Sequence, residues 1–162
     1  MAKNISQSQI WHKILRHLNK QGMDYVLVGG AALVVHGIPR STVDMDVYVH
    51  AEESVLAKLF QMAKALGLKC EQAAIRKIQR FPELFVDQWI CFSYRNQDVL
   101  DVYFAPRVIF ERLLKHSTVK RDKKLSIRVA SLDDMAAMKK AAGRPIDIAD
   151  LRLIEEAKKL GK

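Results

Sequence analysis

Apolar residues recur at helical spacing near the start of the chain, at Ile10, Trp11, Ile14, Leu15 and Leu18, and predict a first helix. Ser6 or Ser8 stands where an N-cap belongs, and Gly22 stands where the helix should stop. Tyr25-Val26-Leu27-Val28 is a short uninterrupted apolar run, the pattern of a buried strand. Gly29-Gly30 then opens a small-residue segment through His36 that reads as a short helix closed by Gly37. From Val43 to Val49 apolar and polar residues alternate, which is the period of a half-buried strand.

The pattern then returns to helical spacing at Val55, Leu56, Leu59, Phe60, Ala63 and Leu66, entered through Glu52-Glu53 and ended by Gly67. Acids at that entry suit the positive end of a helix dipole. Residues 69 to 88 are compatible with a short strand, an irregular stretch around Phe81-Pro82 and another strand. Trp89 to Tyr94 and Val99 to Phe104 read as a hairpin around a polar turn, Arg95-Asn96-Gln97-Asp98. Pro106 starts a helix carrying Val108, Ile109, Leu113 and Leu114; Lys120 to Lys124 reads as a basic loop; Ile127-Arg128-Val129 reads as a strand. Ser131 caps a following helix, with Asp134 placed to complete a capping box, and Gly143 ends it. Pro145 begins a last helix that runs to about Leu160. Interleaved helices and strands with one hairpin predict an α/β (α+β) fold with a mixed sheet. No repeat or linker divides the 162 residues, so a single domain over 1–162 is expected, with a core at about 25–130 and helices at about 131–160.

Composition narrows the class. A hydrophobic fraction of 49% and a charged fraction of 28% are those of a soluble globular chain. No apolar run approaches the ~20 residues that span a bilayer, so no membrane partner is expected. Lys13, Arg16 and Lys20 interrupt the apolar stretches at the N-terminus, which argues against a signal peptide and for the cytoplasm. Cys70 and Cys91, the only cysteines, form no CxxC or Cys/His cluster, and a reduced structural role is expected. The net charge of +9, from 27 Lys+Arg against 18 Asp+Glu, favours polyanionic partners such as nucleotides, RNA or DNA.

The chemistry concentrates in residues 28 to 47. A strand that ends in Gly-Gly and turns into a helix presents backbone N–H groups with no side chain in the way, which suits a phosphate. Asp44 and Asp46 stand two apart in a strand pattern, so both carboxylates face one way. Two like charges placed side by side favour a cation between them, and hard carboxylate oxygens suit Mg²⁺. Val43, Met45 and Val47 are expected to fill the opposite face.

A hydrophobic residue, Gly29-Gly30, a 13-residue spacer and then Asp44-Met45-Asp46-Val47 resemble the signature of the DNA polymerase beta-type nucleotidyltransferase superfamily. His36-Gly37, Arg40 and Thr42, with the run from Ser131 through Arg144-Pro145 to Asp147 and Asp150, are similar to its minimal, AbiEii/AbiGii toxin-like subgroup. The resemblance covers about residues 25 to 155. It implies a mixed sheet flanked by helices and transfer of a nucleoside monophosphate from an NTP. Gly29 and Gly30 would contact the triphosphate. Asp44, Asp46 and a third carboxylate from a later strand would hold two Mg²⁺ ions, with Mn²⁺ as a substitute. Asp101, flanked by Leu100 and Val102, matches that third carboxylate, with Asp98 in reserve. Arg40 either reaches a phosphate or pairs with an acid; Lys139 and Arg144 match basic positions that steady the triphosphate. Asp147 and Asp150 are expected to cap or pair within the last helix, His36 to be structural, and Trp11 and Trp89 to be core. The acceptor (RNA, a partner protein or a small molecule), the base preference and the oligomeric state stay open. So does a non-catalytic reading, a binding module of this fold that partners a toxin or RNA.

Overall fold

In the computed structural model, which describes residues 5–80 and 84–162, the elements follow in the order α1 (Gln7–Lys20), β1 (Val26–Val28), α2 (Gly29–Val35), β2 (Met45–His50), α3 (Glu53–Leu66), β3 (Lys69–Cys70), α4 (Gln72–Arg80), β4 (Trp89–Tyr94), β5 (Gln97–Ala105), α5 (Arg107–His116), β6 (Thr118–Asp122), β7 (Leu125–Val129), α6 (Leu132–Ala142) and α7 (Pro145–Lys159). The strands form one mixed sheet in the order β3-β4-β5-β2-β1-β7-β6. β2 pairs parallel with β5 and antiparallel with β1, and β1 pairs parallel with β7. This is the expected α/β architecture with helices flanking a mixed sheet.

Local chemistry explains most boundaries. Ser6 caps α1 in a full capping box with Gln9. Gly67 and Gly143 end α3 and α6 in the left-handed conformation, where a Cβ would be strained. β2 alternates strictly: Met45, Val47 and Val49 enter the core, while Asp46, Tyr48 and His50 face the other way. β5 repeats the alternation, with Leu100, Val102 and Phe104 buried and Asp101 and Tyr103 on the opposite face. No helix of the described residues is long and apolar enough to cross a membrane.

Several sequence expectations are corrected. Residues 72–80 form a helix, α4, not part of a strand; the irregular stretch expected around Phe81-Pro82 lies outside the described residues. The hairpin turn is only Arg95-Asn96, both at positive φ, as a two-residue type I′ turn requires. Asp98 therefore lies in β5, opposite Ser93, not in the turn. The basic stretch 120–124 is not a loop: β6 runs through Asp122 and pairs with β7 at the sheet edge. Asp44 precedes β2 and is not in it, and Val43 is 70% exposed and fills no core. Trp89 is 59% exposed, whereas Trp11 packs against the core. Ser131 caps α6, but the Asp134 carboxylate accepts from the Ser131 hydroxyl and sits 3.0 Å from His116 Nδ1, so the capping box stays incomplete.

Candidate active site

The connection from β1 to α2 has no slack. Gly29 takes φ +69°, and a Cβ there would stand 2.9 Å from Asp46 Cγ. A Cβ on Gly30 would stand 2.5 Å from Arg40 Nη1 and 2.9 Å from Thr42 Oγ1. The two glycines thus let the Asp46 carboxylate and the Arg40 guanidinium lie directly on the backbone. Thr42 donates its hydroxyl to Asp44 O at 3.1 Å, which fixes the approach to β2.

Register then assembles the carboxylates. Asp46 is the direct partner of Val28 on one side and of Asp101 on the other. Neighbouring strands lie about 4.8 Å apart, so Asp46 and Asp101 stand side by side on one face, with Asp44 two residues before Asp46. Burial, then the charges of Asp44 and Asp101, push the Asp46 carboxyl up to about 6; Lys139 and Arg144 offset only part of this. Burial also raises Asp101, against the pull of a hydrogen bond from the Cys91 thiol. Tyr103, on the same face, is pushed up to about 12 by burial and by Asp46 and Asp101.

On the α6–α7 side the charges are matched. Lys139 is buried, with Nζ 2.7 Å from Asp150 Oδ2 and 3.2 Å from Asp147 Oδ1. Arg40 Nε reaches the other Asp150 oxygen at 3.1 Å. Arg144 holds Asp147 with Nε at 2.8 Å, and Asp147 also accepts from the Arg144 backbone N–H at 3.1 Å, so its carboxylate caps α7. The Arg144 guanidinium lowers the Asp147 carboxyl to about 2. Asp147 thus caps its helix as expected, but both acids also pair outside it, and Asp150 joins α7 to Arg40 and α6. His36 is structural, with Nε2 2.8 Å from Ala130 O.

Gly29, Gly30, Arg40, Asp44, Asp46, Asp101, Lys139 and Arg144 all line one cleft of about 400 Å³. Asp98 does not line it. Tyr48, Tyr103, Met135 and Met138 line it too and went unnoticed in the sequence, although Tyr48 and Tyr103 follow Asp46 and Asp101 by two, the spacing that puts them on the same face. Among the described residues no three His, Cys, Asp or Glu side chains are gathered tightly enough to hold a metal as they stand. The donors still fit a hard divalent cation: Asp46 and Asp101 are paired across two strands with Asp44 just before β2, and the charges of Asp44 and Asp101 add to burial in raising Asp46.

Residues 7–162 match the model of a family described as a nucleotidyl transferase of unknown function (DUF2204). The chain belongs to this family. No curated protein matches it. Its fold is similar to that of the lincosamide antibiotic adenylyltransferase LnuA with lincomycin bound, at a TM-score of 0.65 and 14% identity over 96% of this chain and 99% of that one. It is also similar to ANT(2″)-Ia in complex with adenylyl-2″-tobramycin, at a TM-score of 0.61 and 13% identity over 95% and 94%. A nucleotidyltransferase-like antigenic protein of Paracoccidioides brasiliensis gives a TM-score of 0.61 at 17% identity over 95% and 76%. The chain is thus a nucleotidyltransferase, with nucleoside triphosphate as its implied substrate.

Proposed function

We propose that this nucleotidyltransferase transfers a nucleoside monophosphate from an NTP to an acceptor hydroxyl, with Asp44, Asp46 and Asp101 as its metal-binding carboxylates. The observation that carries the reading is the register pairing of Asp46 with Asp101 beside the bare backbone of Gly29-Gly30. Two Mg²⁺ ions held there, or Mn²⁺ in their place, would polarise the phosphate and ease loss of the acceptor's proton. Asp101 takes that proton as the acceptor oxygen attacks the α-phosphorus. The new O–P bond forms as the bond to the β-phosphate oxygen breaks, and pyrophosphate leaves with that electron pair. Gly29 and Gly30 let the triphosphate approach the main chain. Arg144, whose side chain is 67% exposed, can swing from Asp147 to a phosphate, while Arg40 and Lys139 act as fixed positive charge.

The two adenylyltransferases that share the fold were solved with tobramycin- and lincomycin-based molecules, which supports a hydroxyl-bearing small molecule as acceptor. The likeness of the tail to AbiEii/AbiGii-type proteins adds RNA and partner proteins, and a toxin–antitoxin setting, to what should be tested.

The test is thermal melting with each of the four NTPs, with and without Mg²⁺, on wild type and Asp46→Asn. A ligand at 100 times its Kd adds about 2.7 kcal/mol, several degrees for a domain of this size. A Mg²⁺-dependent shift that the variant loses supports the reading. An equal shift in both proteins removes Asp46 from the metal site.

A further inference from the structure

The sheet face that carries the carboxylates continues past them onto β4. Register sets Cys91 opposite Asp101 and Trp89 opposite Tyr103, as it sets Asp46 and Tyr48 beside Asp101 and Tyr103 on the other flank. Two rows therefore cross three strands on one face: Asp46, Asp101 and Cys91, and one step along, Tyr48, Tyr103 and Trp89. Tyr48 and Tyr103 stack at 5.3 Å between ring centres with 16° between planes. The row ends on the exposed Trp89.

Trp89 and Cys91 form one wall of a second cavity, about 600 Å³, whose other walls include Ile78 of α4 and the exposed Val86. Cys91 of the groove is the cross-strand partner of Asp101 of the catalytic cleft, so the two cavities lie on neighbouring strand positions of one face. The groove's volume is that of a site for a small organic ligand, roughly 300–1,000 Å³. Among the described residues its lining is mainly apolar, and the two charged ones, Lys77 and Glu71, are of opposite sign. A polyanion binds through an excess of cations and would not select this surface. The excess lies elsewhere, on α1 (Lys13, Arg16) and in the turn after β6 (Lys123, Lys124).

We propose that this groove holds the acceptor, a small molecule whose flat apolar or aromatic body lies on Trp89 and whose hydroxyl faces Asp101. The inference rests on the nucleotidyl-transfer reading above and names its second substrate class. Aromatic stacking on an exposed indole provides the attraction, and the cross-strand pairing of Cys91 with Asp101 sets the groove beside the reacting centre.

The probe is 2-(2-naphthyl)ethanol, a neutral aromatic alcohol, titrated calorimetrically into wild type, Trp89→Ala, Val86→Lys and Asp46→Asn. Saturable binding to wild type is expected, weakened at least tenfold by Trp89→Ala, which removes the platform, and by Val86→Lys, which places a charge in the groove. Both positions are exposed, and circular dichroism confirms that each variant folds. Asp46→Asn is expected to bind the alcohol while losing its Mg²⁺–NTP melting shift, so failure of the metal site and failure of the groove are read separately. The proposal is overturned if wild type does not bind the alcohol saturably, or if both groove variants bind it as wild type does. It is equally overturned if a short single-stranded RNA binds wild type, is lost in Trp89→Ala and is not displaced by the alcohol, since the groove would then serve nucleic acid.

Discussion

Two groups of partly or fully buried charge share the cleft, and they are built in opposite ways. On the α6–α7 side each anion has its cation: Asp147 meets Lys139 and Arg144, and Asp150 meets Lys139 and Arg40. On the sheet side Asp44, Asp46 and Asp101 stand together, with Lys139 and Arg144 acting on Asp46 only from a distance. Proximity of opposite charges pulls Asp147 down to about 2; burial and like charge push Asp46 up to about 6. The first arrangement is complete as folded and ties α6, α7 and the Arg40 segment into one wall. The second leaves repulsion that a divalent cation would relieve. Matched buried charge of this kind holds structure, and unmatched charge of this kind marks a site for a ligand.

The largest effect that would break this comparison is on chemistry. Asp46→Asn should lower transfer roughly 10³-fold or more, about 4 kcal/mol in the barrier, once an acceptor and NTP are in hand. Measured with labelled NTP, retained transfer would mean that the sheet-side acids are not the metal site. Asp101→Asn should keep part of the Mg²⁺–NTP melting shift while stopping transfer, and a fully active variant would remove Asp101 from the role of base.

Stability effects come next, on the opposite side of the cleft. Lys139→Ala leaves Asp147 and Asp150 with less compensation in a buried place, and removing one partner of such a pair costs about 3–5 kcal/mol. For a domain of this size that is a drop of roughly 6–20 °C in Tm. A variant that melts with wild type but loses only the NTP shift would show that Lys139 serves the triphosphate and not the wall. Gly29→Ala should cost less, about 1–3 kcal/mol, through strain at φ +69° and contact with Asp46. Because the strain falls on Asp46, it should also weaken the Mg²⁺–NTP shift in the same melting assay.

The two sides also differ in how far the sequence disclosed them. The sheet side is mostly short-range: a strand, two glycines and Asp-x-Asp lie within 20 residues, and the family resemblance that they carry implies the third acid, matched by Asp101 with Asp98 in reserve, which the register then sets beside Asp46. The α6–α7 side depends on Arg40 reaching Asp150 across 110 residues, and local pattern carries no information on such a partner. α4 is hard to read because it is only nine residues long and buries only Ile78, although Ala74, Ile75 and Ile78 fall at helical spacing and Gln, Ala, Arg and Lys are good helix formers. β6 read as a loop because all five of its residues are exposed at an edge, where charged side chains are common and no alternation is imposed. Trp89 reads as core in the sequence, but its place at the end of an aromatic row, beside a groove, leaves it in water.

The smallest effect is the most direct test of the contrast, because it needs only the metal-free protein and a pH series. Asp46 has its folded pKa raised from 3.8 to about 6, so the folded state holds its proton more tightly than the unfolded state does. Its effect on stability is therefore unfavourable above pH 6 and fades as pH falls from about 6 to 4. Asp147 has its folded pKa lowered to about 2, so its contribution is favourable above pH 4 and is lost as pH falls from about 4 to 2. These two contributions have slopes of opposite sign on either side of about pH 4. Partial exposure of Asp46 limits its part to roughly 1–2 kcal/mol. Asp46→Asn should flatten the limb between pH 4 and 6 and leave the acid limb in place, and Mg²⁺ should flatten the same limb by relieving the same repulsion. If Asp46→Asn leaves the pH 4–6 limb unaltered, the acids on the sheet are not in conflict as folded, and the distinction between the two sides of the cleft is lost.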